Sequence, residues 1–201
     1  MTNDVTSDPT SDVTSDPTSD VTGDPAAAAA RLAELEPACD RDEALAFFDT
    51  LPAVRAETLR GQWRGRELAT GHPMDGLLEA SGWYGKRFDS ADEVHPLLFT
   101  APGGRIVSAD PRRIPFGMLD SIPEQVVSRG RAVMGVALPL LVTKKPRARL
   151  RNVEYRGVVT AGMSYDHLPI IDLFRRVDDT TLLGCMDLRA APPYFFVLQR
   201  D

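Results

Sequence analysis

One stretch of the sequence carries residues that could do acid–base chemistry. Asp172 lies in an alternating apolar run, on the same face as Ile170 and Phe174. If that face points inward, Asp172 is a buried carboxylate with a raised pKa, and it needs a partner. The candidate partners are Arg156, Arg175 and Tyr155. Asp187 on the next run could lie nearby, and paired carboxylates do acid–base work in many enzymes. The structural alternative is that Asp172 anchors an ion pair or a turn.

His167 precedes that run and could act as a general base or as a haem ligand. The alternative is a turn residue that hydrogen-bonds the backbone. The other histidines, His72 and His95, each precede a proline, and we expect both in loops with structural roles.

The remaining motifs of catalysis are missing from the sequence. No His-x-x-x-His or Cys-x-x-Cys spacing predicts a metal site. No nucleophile elbow, P-loop or dinucleotide fingerprint occurs. Cys39 and Cys185 are expected to be reduced thiols, with Cys185 in the core. We therefore expect no catalytic residue, no metal and no cofactor.

Two glycine-bracketed tryptophans give the clearest structural signal. Trp63 stands between Gly61 and Gly65, and Trp83-Tyr84 stands between Gly82 and Gly85. Glycine in a strand-like run is typical of a bulge or a close backbone approach. We expect Trp63 to plug one end of the core, with the second cluster beside it and Trp83 and Tyr84 near the mouth of a pocket.

The elements that would position these residues are mostly strands. The segment from Tyr155 to Leu188 is expected to pair with the strand that begins at Gly61, and Asp178-Asp179-Thr180 predicts a hairpin turn. A second hairpin is predicted around Pro102-Gly103-Gly104, and residues 194–198 form a last strand or an apolar tail. The segment 123–137 could be a helix or a linker. The fold class is mainly β (α+β): an antiparallel barrel or a curled sheet.

Composition divides the chain into three parts. Residues 1–25 repeat an acidic eight-residue unit, which predicts a disordered tail. Residues 26–60 predict short N-terminal helices. Residues 61–201 form the β domain, with the tryptophan segment in 55–110 and a C-terminal β segment in 140–200.

Charge and hydropathy exclude several partner classes. The net charge is −6, but six of the 29 acidic residues lie in the tail, which leaves 23 acidic against 23 basic residues. A neutral body argues against a nucleic-acid partner. The sequence has no stretch long enough to cross a membrane and no secretory signal, so we expect a cytoplasmic protein.

Two segments resemble a bacterial family named for its GXWXG motif. The first segment is Leu59–Gly65. The second segment begins at Tyr155-Arg156-Gly157-Val158, continues through Asp166-His167-Leu168-Pro169-Ile170-Ile171-Asp172-Leu173-Phe174 and ends at Leu183-Gly184-Cys185-Met186-Asp187. The second segment resembles the family's C-terminal domain of unknown function 4334, and the resemblance covers residues 45–200. The motif is also similar to the Gly-x-Trp signature of lipocalin-like barrels, which implies an apolar cavity and binding of a fatty acid or other lipid-like molecule. That likeness implies an arginine across Trp63, with Arg175 or Arg176 as candidates.

Together these features predict a lipocalin-like binding protein for a small apolar or amphipathic ligand. The expected ligand-binding residues are Trp63, Trp83, Tyr84, Tyr155, His167, Asp172 and Phe174. Two alternatives stay open. One is an enzyme that uses Asp172 or His167 as an acid–base group, and the other is a structural module without a ligand.

Overall fold

A computed structural model describes residues 23–114 and 130–201 of the chain. Most of the predicted acidic tail, and residues 123–129 of the segment with two alternative predictions, lie outside the described residues.

The described residues form one antiparallel sheet of nine strands. The strands are β1 Gly61–Leu68, β2 Trp83–Phe88, β3 Val94–Thr100, β4 Ile106–Ser108, β5 Ala148–Tyr155, β6 Val158–Tyr165, β7 Ile170–Arg176, β8 Thr181–Leu188 and β9 Tyr194–Arg200. Their order is β2-β1-β9-β8-β7-β6-β5-β3-β4, and β2 also pairs with β3. The pairing therefore runs in a closed ring, with β4 outside it, which confirms the mainly β, curled-sheet fold class. The closure is narrow at one point, because β3 and β5 pair only at Val94↔Ala148.

The helices are short. They are α1 Pro25–Leu35, α2 Arg41–Thr50, α3 Leu77–Ser81 and α4 Gly130–Leu141, with 3-10 turns at Ala56–Thr58 and Pro111–Arg113. The Asp24 carboxylate caps α1. Asp40 and Glu43 form a capping box at the start of α2. The N-terminal helices thus begin where their sequence signals predict.

Alternation along the strands separates two hydrophobic cores. On β7, Phe174 packs in the inner core, whereas Leu173 packs in an outer core. The outer core holds Phe47 and Phe48 of α2 against the outer faces of β7, β8 and β9. On β7, β8 and β9, alternate residues therefore contribute to the inner core and to the outer core.

The strand pairing corrects one expectation. Strand β1 pairs with β2 and β9, so it does not pair directly with the segment from Tyr155 to Leu188. The last strand, β9, lies between β1 and β8 because its own outer and inner residues complete both cores. Residues 194–200 are therefore a strand in the middle of the sheet, which sequence reasoning left open.

The predicted hairpins form as expected. Val177 N–H donates to Thr181 O across the Asp-Asp turn, and β7 and β8 pair from Arg176↔Leu182 onward. Strands β3 and β4 pair around Gly103 and Gly104. A third hairpin joins β5 and β6 through Arg156 and Gly157, both with positive φ of 52° and 77°.

No helix within the described ranges has the length and apolar character that a membrane crossing needs.

Candidate functional site

A sizeable opening lies where β1 and β2 separate. The two strands pair from Gly61↔Phe88 to Arg64↔Gly85. Beyond Gly65 they part, and a cleft of about 720 Å³ opens between them. Its lining includes α3 and α4 residues and the end of β3: Arg64, Gly65, Arg66, Glu79, Ser81, Gly82, Trp83, Tyr84, Thr100, Ala101, Pro102, Leu138 and Gln199. We call it the Trp83 cleft.

Two glycines explain why the strands can part around a tryptophan. A Cβ on Gly65 would lie 2.1 Å from the Trp83 ring atom Cη2, so no other residue leaves room for the indole. A Cβ on Gly85 would lie 1.9 Å from the Trp63 carbonyl oxygen. The last glycine of the GXWXG motif thus leaves space for the tryptophan ring of the neighbouring strand. The two glycine–tryptophan clusters are therefore neighbours.

Trp83 forms one wall of the cleft and is almost completely buried, with 7% of its surface exposed. Its ring packs edge-on against Phe196 at 5.9 Å. Its indole Nε1–H is buried and donates no hydrogen bond to any residue in 23–114 or 130–201. A buried donor without an acceptor is costly.

The rim of the cleft is polar. Arg66 pairs with Glu36 at 2.6 Å, and the Tyr84 hydroxyl donates to the carboxylate of Asp201. Arg64 makes no ion pair with the residues that the structure describes. One guanidinium at the mouth is therefore available to a ligand, although solvent weakens its attraction.

An ion pair crosses the inner core behind Trp83. Lys86 Nζ on β2 lies 2.8 Å from Asp172 Oδ2 on β7, and the two side chains are 3% and 1% exposed. Lys86 also donates to the Pro96 carbonyl at 3.2 Å. Three aromatic rings surround its ammonium, with Nζ 4.7 Å from the Phe196 centroid, 5.5 Å from Trp83 and 5.9 Å from Tyr165. Aromatic faces stabilise a desolvated cation.

Burial raises the pKa of Asp172, while Lys86 lowers it in part. Burial also raises the pKa of Tyr165 well above its usual range, and the nearby Asp172 adds to that rise. Neither Asp172 oxygen accepts a hydrogen bond of ideal geometry from the described part of the chain, but Lys86 and the Tyr165 hydroxyl lie close enough to lower the pKa of Asp172 in part. The buried carboxylate therefore lies between an ammonium and a phenol.

The inward position of Asp172 follows the predicted alternation, but its expected partner is wrong. Arg156 pairs with Asp49 at the surface, and Arg175 donates to the Leu51 carbonyl on the outer face. Asp187 is exposed and pairs in register with Ile171, on the face opposite Asp172. The actual partner, Lys86, was missed, although alternation with the buried Phe88 two residues later is a signal for it.

Trp63 closes the other end of the ring and does not line the Trp83 cleft. It is 1% exposed, and its Nε1–H donates to the Arg60 carbonyl at 3.1 Å. A separate cleft of about 360 Å³ lies beside it. The arginine across its ring is Arg200, with 4.7 Å between Cζ and the ring centroid. Arg175, one of the two expected residues, stacks instead on Phe48 at 5.2 Å.

The remaining expected site residues lie in different places. Phe174 belongs to the inner core and packs edge-on against Phe196 at 6.3 Å. Tyr155 packs in the outer core, with its ring 6.3 Å from Phe48. His167 is exposed between β6 and β7, in a narrow crevice with Tyr165. Trp83 and Tyr84 thus line the cleft at one end of the ring. Asp172 and Phe174 lie in the interior of the ring, behind Trp83.

The other two histidines are buried, and one lies in a strand rather than in the expected loop. His95 on β3 has Nδ1 3.1 Å from Ser108 Oγ and Nε2 3.5 Å from Asp89 Oδ2. Burial lowers the pKa of His95. His72 accepts a hydrogen bond from Met74 N–H. Across both described ranges, no three His, Cys, Asp or Glu side chains lie close enough to hold a metal ion.

Comparison with known proteins gives two family matches in one chain. The model described as GXWXG protein matches residues 46–104. The model described as domain of unknown function (DUF4334) matches residues 146–200. The first match contains β1, β2 and most of the residues that line the Trp83 cleft, and the second contains the strand that carries Asp172.

One solved structure is similar over nearly the whole described fold. It is a crystal structure of a protein from Thermomonospora curvata, with 34% sequence identity and a TM-score of 0.64. The match covers 87% of this chain and 99% of that one. No curated protein matches the chain.

Proposed function

The chain belongs to the GXWXG protein family, with a C-terminal DUF4334 segment, and we propose that it binds a small apolar or amphipathic, lipid-like ligand in the Trp83 cleft. The observation that carries the proposal is a cleft of about 720 Å³ with Trp83 in its wall, a residue whose buried indole N–H finds no acceptor among the described residues. Ligand pockets for small molecules usually fall in the range of about 300–1,000 Å³.

The lining supports an amphipathic rather than a strongly charged ligand. The rings of Trp83 and Tyr84, with Ala101, Pro102 and Leu138, offer apolar surface to a chain or ring system. A few polar groups would then orient the molecule, which is the usual division of labour in such sites. Asp172 and Phe174 lie deeper, behind Trp83, whereas Tyr155 and His167 have no contact with the ligand in this proposal.

A cleft-filling substitution tests the site directly. Thr100 lines the cleft and is exposed, so Thr100→Trp fills the space without disturbing either core. The matched control is Thr58→Trp, because Thr58 is also exposed and lines the separate cleft beside Trp63. The probe is a neutral fluorescent naphthylamine, with native mass spectrometry of the purified protein as a second measurement.

The proposal expects probe uptake by the wild-type protein and the Thr58→Trp variant. It expects Thr100→Trp to weaken binding by roughly tenfold or more, equivalent to about 1.4 kcal/mol. Equal affinities of the wild type and the two variants for the probe would show that the probe does not bind in the Trp83 cleft. No uptake and no co-purified molecule would instead favour a structural module with filled cores.

A further inference from the structure

The outer face of α4 is apolar and exposed. Val136 and Leu140 are 81% and 73% exposed, and Val142, directly after the helix, is 42% exposed. Val136 and Leu140 are four residues apart, so they lie on the same side of the helix. Leu138 and Leu141 of the same helix are buried and belong to the inner core. A surface helix normally turns polar side chains to water, and the described residues of α4 depart from that pattern.

This apolar surface is concentrated in one place. Among the described side chains, the large apolar ones with high exposure are Val136, Leu140, Val142 and Val159. The first three form one surface at the end of α4, which we call the α4 face, whereas Val159 lies apart on β6. Clustered exposed apolar side chains are typical of a surface that meets a partner.

Basic side chains border the α4 face. Lys144 and Lys145 follow it in the chain and are exposed. The exposed Arg113 donates from its guanidinium to the Leu140 carbonyl, which places a third cation at the end of the helix. None of the three forms an ion pair with a residue that the structure describes. Their charges are therefore available to an anionic partner.

The segments that carry these cations are strongly basic. Residues 105–114 hold three basic residues and residues 136–149 hold four, against a single acidic residue, Asp110. That carboxylate is buried and paired with Arg112 and Arg147. Outside the acidic tail the chain has 23 acidic and 23 basic residues, so the excess of positive charge here is local.

We propose that the α4 face docks on the surface of an anionic lipid membrane. Apolar side chains of a helix that lies in the membrane interface enter the boundary between head groups and acyl chains. Lys and Arg side chains beside them are attracted to anionic head groups. The α4 face offers both kinds of contact next to one another. This docking goes beyond the ligand binding proposed above and does not depend on it.

The charges argue against a second copy of the chain as the partner. In a two-fold symmetric dimer, the same face of each copy meets the other. Lys144, Lys145 and Arg113 would then approach the same three cations of the second copy, and like charges repel. An anionic lipid surface attracts all three.

Helix α4 also connects this face to the Trp83 cleft. Leu138 lines the cleft, while Val136 and Leu140 of the same helix are exposed. A membrane on the α4 face would therefore lie about one helix diameter, ~10 Å, from the cleft.

Co-sedimentation of the full chain with lipid vesicles tests the docking. The wild type should bind vesicles of phosphatidylcholine mixed with phosphatidylglycerol, and it should bind pure phosphatidylcholine about tenfold more weakly, because each Lys or Arg near an anionic surface adds attraction. Raised salt should weaken the binding to the mixed vesicles. Lys144→Glu/Lys145→Glu should lower the affinity for them by about tenfold or more. The matched control is Arg41→Glu/Arg176→Glu, which makes the same change in net charge at exposed positions of α2 and β7 and should leave the affinity unchanged.

A second pair of variants tests the apolar part of the surface. Val136→Ser/Leu140→Gln should weaken binding to the mixed vesicles by about tenfold, since it removes exposed apolar area that the membrane would cover. Val159→Ser, which removes an exposed apolar side chain from β6, should have no effect. Thermal unfolding and uptake of the fluorescent naphthylamine show that each variant is folded.

Several results would overturn the docking. Failure of the wild type to bind the mixed vesicles would do so, as would an equal loss of binding in the Arg41→Glu/Arg176→Glu control. A dimer that Val136→Ser/Leu140→Gln abolishes would assign the face to a second copy instead. Lower thermal stability of that variant, without vesicle binding by the wild type, would assign the face to another segment of the same chain. Because naphthylamine uptake is measured separately, loss of the docking leaves the cleft proposal intact, and absence of uptake leaves the docking intact.

Discussion

Removal of the Lys86 ammonium is the most informative perturbation of the inner core. The Lys86 and Asp172 side chains are 3% and 1% exposed and their charged atoms lie 2.8 Å apart. Lys86→Met keeps most of the side-chain volume but leaves a buried carboxylate without its counter-ion. Breaking a buried pair in this way costs about 3–5 kcal/mol of unfolding free energy.

The loss of stability in Lys86→Met should depend on pH. In Lys86→Met, the pKa of Asp172 rises further above its ordinary value of 3.8, because burial already raises it and the lysine no longer opposes that shift. When the pKa of a carboxyl group is higher in the folded state than in the unfolded state, the protein becomes less stable as the pH rises from the unfolded-state pKa through the folded-state pKa. The deficit relative to wild type should therefore be smallest near or below the ordinary pKa and largest at neutral pH.

Urea unfolding followed by circular dichroism measures this deficit. Replacing both members with apolar residues, as in Lys86→Met/Asp172→Leu, is often neutral or stabilising, so the double variant should be more stable than the single one. Lys145→Met is the matched control, because Lys145 is exposed, and it should change stability by about 0.5 kcal/mol or less. Equal losses in the single and double variants would refute the reasoning, since the cost would then come from packing and not from an unpaired charge.

Three further predictions concern other parts of the fold. Asp110→Asn should destabilise the protein most at neutral pH and progressively less below about pH 3.8, because hydrogen bonds from Arg112 and Arg147 hold the pKa of Asp110 well below its ordinary 3.8; at about pH 2–3 the deficit should be smaller but still present, and urea unfolding at about pH 7 and at about pH 2–3 measures it. Gly65→Ala should lower the free energy of unfolding by about 1–3 kcal/mol and shift the tryptophan fluorescence emission, because the new Cβ would lie 2.1 Å from Trp83. Unchanged emission would contradict the observed packing of Trp83 against Gly65. Phe48→Ala should lower the free energy of unfolding, measured by thermal or urea unfolding, by about 3–5 kcal/mol, because the Phe48 side chain of α2 is fully buried against the outer face of the sheet.

Sequence periodicity predicted most of the local structure. Composition predicted short N-terminal helices, which form as α1 and α2, and the Asp178-Asp179 turn predicted the β7–β8 hairpin. These signals act within a few residues, so they can be read without knowing the rest of the fold. Alternation also placed Asp172 on the same face as Phe174, inside the ring.

The partners of those residues could not be predicted in the same way. The sequence supplied several arginines as candidates for Asp172 and for Trp63, yet Lys86 and Arg200 take those positions. Each contact joins strands far apart in the chain, and its identity depends on which strands become neighbours when the sheet closes. Sequence spacing carries no direct record of that choice.

The sequence by itself determined that this chain makes antiparallel strands with two N-terminal helices, and that Gly65 and Trp83 belong to glycine-bracketed clusters. Only the tertiary structure decided that β9 lies beside β1, that the strands close into a ring, and that a cleft opens at Trp83. The physical reason is the range of the interactions. Caps, turns and alternation depend on neighbouring residues, whereas the ion pair of Lys86 with Asp172 exists only once the closed sheet has excluded water from its interior.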